Sequence, residues 1–172
     1  MELKYRTANR LPGYDYGVIG CYFVTLCTHH RQPIFCMEKS TVGNSLRAVP
    51  KHAPNQIIRK WIIETQKKYK NIAIEQYVIM PDHLHLMVEI NEQCPGCSVS
   101  EAMHFFKTMT TNEYIRGVKK GVLHEFDTKL WQRSYYDHVI RNQQDYDEIW
   151  QYIENNPEKW MLLHQNDFCK TT

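Results

Sequence analysis

His83 and His85 flank Leu84 in the run Tyr77-Val78-Ile79-Met80-Pro81-Asp82-His83-Leu84-His85-Leu86-Met87-Val88-Glu89-Ile90. Alternate residues of a strand point to the same face, so His83, His85, Met87 and Glu89 share one side and Leu84, Leu86, Val88 and Ile90 the other. If the apolar set is buried, two imidazoles stand side by side on the opposite face. Neutral imidazole is a common ligand for divalent cations, and a strand fixes two rings better than a loop does. The same alternation also fits histidines that are simply polar surface. A second pair of reactive groups lies near the C-terminal end, in Asp145-Tyr146-Asp147-Glu148-Ile149-Trp150-Gln151-Tyr152-Ile153-Glu154-Asn155-Asn156-Pro157. Residues four apart on a helix share nearly one face, about 6 Å apart along the axis. The Tyr152 hydroxyl and the Asn156 amide could therefore reach one target. Read alone, Tyr152 is equally an amphipathic core residue and Asn156 a helix C-cap.

These groups need a scaffold. Val18 to Thr28 is β-branched and aromatic and predicts a strand, ended by His29-His30-Arg31-Gln32-Pro33. The first 17 or so residues read as an arm, and residues 37 to 53 carry no long helix because Gly43 and Pro50 interrupt them. Ile57, Ile58, Trp61, Ile62 and Ile63 recur at helical spacing within Asn55 to Lys70. Ile72 to Met80 predicts a strand joined to the histidine strand through a tight Pro81-Asp82 turn. Ser98 or Ser100 can cap a helix running to about Arg116, with Met103, Phe106, Thr110 and Tyr114 on one stripe. Gly117 and Gly121 bracket a basic loop, and Trp131 to Ile140 predicts a short strand. Asn142 reads as the N-cap of a helix over Gln143 to Asn155, with Pro157 placing Asn156 at or past its end. These elements predict one domain over residues 1–172, an α+β antiparallel sheet with helices on one face.

Composition narrows the class. The 172 residues are 42% hydrophobic and 23% charged, as expected of a soluble globular chain. No apolar run approaches the ~20 residues of a membrane helix, and the N-terminus lacks a signal-peptide core, so a cytoplasmic protein is the simplest reading. The net charge of +2 allows nucleic-acid binding without arguing for it. Basic clusters at Arg59, Lys60, Lys67, Lys68 and Lys70 and at Arg116, Lys119 and Lys120 read first as solvated helix faces. Of the six cysteines, Cys21 and Cys27 sit in an apolar strand, and Cys94-Pro95-Gly96-Cys97 reads better as a turn than as half of a zinc site.

Three segments in order carry a resemblance: Pro81-Asp82-His83-Leu84-His85, then Trp131-Gln132-Arg133-Ser134-Tyr135-Tyr136-Asp137-His138-Val139-Ile140-Arg141-Asn142, then Tyr152-Ile153-Glu154-Asn155-Asn156-Pro157. Together with Phe23-Val24-Thr25-Leu26-Cys27-Thr28-His29-His30-Arg31, they cover most of the chain. The sequence resembles the IS200-like single-tyrosine (Y1) transposases, most of all the REP-associated branch. The resemblance implies an HUH-type nuclease on a ferredoxin-like (RRM-like) α+β fold. It implies His83 and His85 as metal ligands, Asn156 as the third ligand and Tyr152 as the nucleophile. Leu84 fills the variable hydrophobic middle position of the HUH pattern.

The chemistry so implied is cleavage and rejoining of single-stranded or hairpin DNA through a covalent 5′-phosphotyrosine, with Mg²⁺ or Mn²⁺ held by the mixed N/O donors. Tyr135 and Tyr136 are candidate stacking platforms for unpaired bases, and Arg133, His138 and Arg141 candidate phosphate contacts. Each of the five can equally pack the domain. Two alternatives stay open. One is a domesticated relative that only binds structured DNA. The other is a metal-dependent hydrolase in which Glu89 or Asp82 matters more than Tyr152. A monomer is favoured over a dimer by the likeness to the REP-associated branch.

Overall fold

The computed structural model describes residues 13–39 and 53–168. Most of the expected N-terminal arm (residues 1–12) and most of the mixed segment before the first helix fall outside the described residues. The elements run β1 (Gly20–Cys27), a 3₁₀ turn (His29–Arg31), β2 (Glu38–Lys39), α1 (Ala53–Lys68), β3 (Ile72–Met80), β4 (His83–Ile90), α2 (Val99–Lys119), β5 (Tyr136–Ile140) and α3 (Gln143–Phe168). The strands form one antiparallel sheet in the order β2-β3-β4-β1-β5. Apart from the two-residue edge strand β2, this is the split β-α-β arrangement of a ferredoxin-like fold. β1 lies between β4 and β5, which suits its run of apolar side chains on both faces. Tyr22, Val24 and Leu26 are buried on one side and Phe23 on the other.

The hairpin forms where the sequence places it. β3 and β4 pair from Ile72↔Ile90 to Met80↔His83, with an irregularity between Ile74 and Gln76. Loop 28–35 clamps the connecting turn. Thr28 donates from both its backbone N and its Oγ1 to the Asp82 carbonyl (2.9 Å each), and the Ile34 and Phe35 amides donate to the Pro81 carbonyl (2.8 and 3.0 Å). Leu84, Leu86, Val88 and Ile90 enter a core shared with Ile58, Ile62, Met103 and Phe106 from α1 and α2. Phe106 is fully buried in it. Phe106→Ala is expected to lower unfolding stability by about 3–5 kcal/mol through lost burial and a residual cavity, measured by urea denaturation.

The helices do not all pack on one face, as the sequence reading expects. α1 and α2 cover the leucine face of β4, whereas α3 crosses the histidine face. There Ile149 and Ile153 pack on Phe23, Val78, Met80 and Met87, with Tyr146, Trp150, Tyr152 and Trp160 around them. The reason lies in the neighbouring strands. β4 alone looks polar on that face, but β1 and β3 contribute Phe23, Val78 and Met80 to it, and this apolar surface needs a cover.

α3 also runs further than expected, through Pro157 to Phe168. Proline lacks the N–H that would bond to the Ile153 carbonyl, and it disfavours helical geometry at Asn156. Packing overrides that preference, since Asn156 is buried beside His85 and Trp160 one turn on joins the apolar cluster. The other end matches the expected cap, with Asn142 Oδ1 accepting from the Asp145 amide at 2.9 Å. Ser98 caps α2 in a reciprocal box with Glu101. Gly117 is not a loop residue but the last turn of α2. A Cβ there would lie 2.5 Å from Leu123 Cδ1, so the glycine lets the returning chain approach. The helix stops at Gly121, which has φ +69°. Trp131 lies outside β5 and makes an isolated bridge to Thr28.

The first basic cluster is largely committed locally. Arg59 pairs with Glu38, Lys60 with Glu113 (2.7 Å) and Lys67 with Glu64 (2.8 Å), while Lys68 lies 4.0 Å over the Phe105 ring. No helix among the described residues is long and apolar enough to cross a membrane.

Candidate active site

The pairing register of β1 and β4 sets Phe23, Thr25 and Cys27 opposite Met87, His85 and His83 on the face covered by α3. His83 and His85 are neighbours there, with ring centroids 4.6 Å apart at 74°. His85 is buried, stacked on Phe23 at 5.2 Å, and its Nδ1 lies 2.8 Å from Thr25 Oγ1. His83 is at the strand end, with Nδ1 2.5 Å from Asp82 Oδ1. Burial in an apolar setting disfavours the charged imidazole, and the His83 ring beside it adds to this, so the His85 pKa falls well below the usual histidine value. Neutral imidazole is the form that ligates a cation.

α3 brings the second pair of groups to the same place. Asn156 Nδ2 lies 3.3 Å from His85 Nε2. The Tyr152 ring is 5.4 Å from the His85 ring, and it meets Phe23 edge-on at 5.9 Å. Lys159, two turns on from Tyr152, holds its Nζ 5.9 Å from that ring. Tyr146 faces elsewhere and stacks on Trp150 at 5.9 Å. Thus four residues chosen by type and spacing converge, and Asn156 is not a C-cap because the helix continues past it. Two imidazole nitrogens and an amide oxygen can hold a divalent cation while leaving positions open. Among the described residues, no group of three His, Cys, Asp or Glu side chains offers a competing site.

Asp82 adds a negative charge at the rim. Its burial raises the carboxyl pKa, but the His83 hydrogen bond and charge, helped by Arg31, outweigh that and the net shift is downward. Arg31 Nη1 reaches the other carboxylate oxygen at 3.3 Å. His30 and Arg31 adopt left-handed backbone angles, φ +53° and +56°, which loop 28–35 must hold in place. Glu89 lies four residues along the strand from His85, about 13 Å away, and so is out of reach of the pair.

The five other candidates separate by face. Tyr136 pairs with Thr25 and His138 with Phe23, so both share the histidine face. His138 Nε2 is engaged by the Asp145 carboxylate at 2.9 Å. Arg133 and Arg141 are exposed. Tyr135 does not offer a stacking surface. It is 6% exposed, packs in the leucine-face core, and its hydroxyl lies 3.4 Å from Ser100 Oγ. The alternation of a strand end sends Tyr135 and Tyr136 to opposite sides, which the paired tyrosines do not reveal by type. The sequence does not single out Thr25 as a site residue, and it raises Asp82 only in the hydrolase alternative. The signal for Thr25 is the one aliphatic hydroxyl of β1.

A family model described as the IS200-like transposase matches residues 22–156, from the start of the central strand to Asn156. The chain belongs to the IS200-like transposase family. As a family member it is a transposase, an enzyme that acts on DNA. Its relatives include an uncharacterized Haemophilus influenzae protein, 29% identical over 92% of this chain and 91% of that one. A second Haemophilus influenzae protein, described as a REP-associated tyrosine transposase, is 30% identical over 53% of this chain and 51% of its own length. Among solved structures, a REP-associated tyrosine transposase bound to a REP hairpin superposes with TM-score 0.56 at 22% identity, covering 91% of this chain and 73% of that one. A Deinococcus radiodurans protein described as a transposase gives TM-score 0.50 at 17% identity, covering 85% and 95%.

Proposed function

We propose that this IS200-like transposase cleaves and rejoins single-stranded or hairpin DNA, with Tyr152 as nucleophile and His83, His85 and Asn156 holding Mg²⁺ or Mn²⁺. The observation that carries the reading is the contact of α3 with the histidine pair, 3.3 Å from Asn156 Nδ2 to His85 Nε2. A half-turn of the Asn156 amide presents its oxygen instead. A bound divalent cation would supply charge neutralisation at the scissile phosphate.

The protein's own residues do the rest. The Tyr152 Oη attacks phosphorus, the bond from phosphorus to the 3′ oxygen breaks, and the departing oxygen takes a proton to become a 3′-hydroxyl. The product is a 5′-phosphotyrosine, which keeps the diester's bond energy. An incoming 3′-hydroxyl reverses the sequence and releases the phenol, giving strand transfer. Phe23 and the His85 ring confine the tyrosine from two sides. Tyr136, half-buried on the same face, is the candidate stacking surface for an unpaired base. The hairpin bound in the structure of the REP-associated relative supports a hairpin substrate here.

The test is incubation of the protein with 5′- or 3′-labelled hairpin DNA and Mn²⁺, followed by denaturing electrophoresis. The expected result is an SDS-resistant protein–DNA adduct that carries the 3′ label, while the 5′-labelled fragment is released with a free 3′-hydroxyl. A shift on a parallel native gel without cleavage would instead identify a binding protein, and turnover without adduct a hydrolase.

A further inference from the structure

We propose that Thr25 and Asp82 are positioning residues that lock both site histidines with the proton on Nδ1, leaving Nε2 of each ring as the free base. The use of those two atoms as cation ligands rests on the function proposed above, but the proton positions follow from the hydrogen bonds. For His85 the two ring nitrogens have different neighbours. Asn156 Nδ2 is a donor and lies 3.3 Å from Nε2, so Nε2 accepts. With Nε2 accepting, the ring proton sits on Nδ1 and is donated to Thr25 Oγ1 at 2.8 Å. For His83 the assignment comes from a different partner. A carboxylate only accepts, so the 2.5 Å contact with Asp82 Oδ1 requires a proton on Nδ1.

Both partners are themselves fixed. Thr25 is the cross-strand partner of His85 in the β1–β4 ladder, so its hydroxyl cannot drift from the ring. Asp82 is held through its carbonyl by the Thr28 amide and hydroxyl and through Oδ2 by Arg31 at 3.3 Å. Ligating histidines commonly donate their second ring N–H to such an acceptor, and losing it weakens metal binding about 10–100-fold. Without Thr25 the His85 proton is free to move to Nε2 and bond to the Asn156 oxygen after an amide flip. That arrangement closes the ligand atom.

Nitrogen-resolved NMR of the imidazoles, recorded on metal-free protein near pH 8, reads the tautomers directly. Both rings are expected as Nδ1–H in the wild type, with mixed tautomers for His85 in Thr25→Val and for His83 in Asp82→Ala. Thr25→Ser, which keeps the hydroxyl, restores the wild-type spectrum, and Asp82→Asn keeps the His83 tautomer because its amide oxygen still accepts. In a Mn²⁺ titration, Thr25→Val and Asp82→Ala bind about 10–100-fold more weakly than wild type. An Nε2–H signal from either ring in the wild type overturns the proposal, as does unchanged Mn²⁺ affinity in both variants. Nδ1–H on both rings with no Mn²⁺ binding by the wild type supports the lock and removes only the metal from the proposed function.

Discussion

Tyr152→Phe is expected to abolish the covalent DNA adduct while hairpin binding stays within about threefold of wild type, because only one oxygen is lost and the ring remains. The ring makes the packing contacts, edge-on to Phe23 at 5.9 Å and beside His85 at 5.4 Å, and phenylalanine keeps both. Removing a nucleophile outright costs about 10⁴–10⁶ in the rate of the chemical step. The Tyr152 ring lies beside the His85 ring, whereas Tyr146, on the same helix, is stacked on Trp150. Adduct on an SDS gel and binding by fluorescence anisotropy separate the two effects. A persistent adduct in this variant would move the nucleophile elsewhere.

The second large effect concerns the cation. Treating wild-type protein with EDTA is expected to lower adduct formation by about 10²–10³-fold or more, the scale of losing a charge that stabilises the reacting group. Added Mn²⁺ should restore it. His83→Ala should give the same loss without rescue by Mn²⁺. His83 is the better choice of the two histidines because it sits at the strand end and is partly exposed, whereas His85 is buried against Phe23 and its truncation leaves a cavity. Circular dichroism and urea denaturation confirm that the variant is folded. Full adduct formation in EDTA would show that the imidazoles serve some purpose other than holding a metal.

Much of this is legible in the sequence, because the relevant signals are local. The period-two alternation of β4, the Pro81-Asp82 turn and the four-residue spacing of Tyr152 and Asn156 each depend on neighbours in sequence. What was not readable depends on neighbours in space. The polar look of the histidine face came from β4 alone, whereas Phe23, Val78 and Met80 on adjacent strands make that face apolar enough to seat a helix. Pro157 is a stop signal by backbone rules, and only the packing of Asn156 and Trp160 carries the helix past it. Tyr135 and Tyr136 look alike in the sequence, and the start of β5 between them decides which is buried. The placement of Thr25 and Asp82 beside the histidines depends on the register of β1 on β4 and on the contacts of loop 28–35, which are not local in sequence.

α3 lies across the histidines of its own chain, reaching His85 from the same polypeptide that supplies it. On the function proposed above, each copy would carry both halves of the site. Specific activity should not fall on dilution, as it would if two molecules had to lend each other a helix. On the proposed mechanism the tethered 5′ end would stay with the molecule that made the cut, so rejoining to a 3′-hydroxyl held on that molecule would be first order.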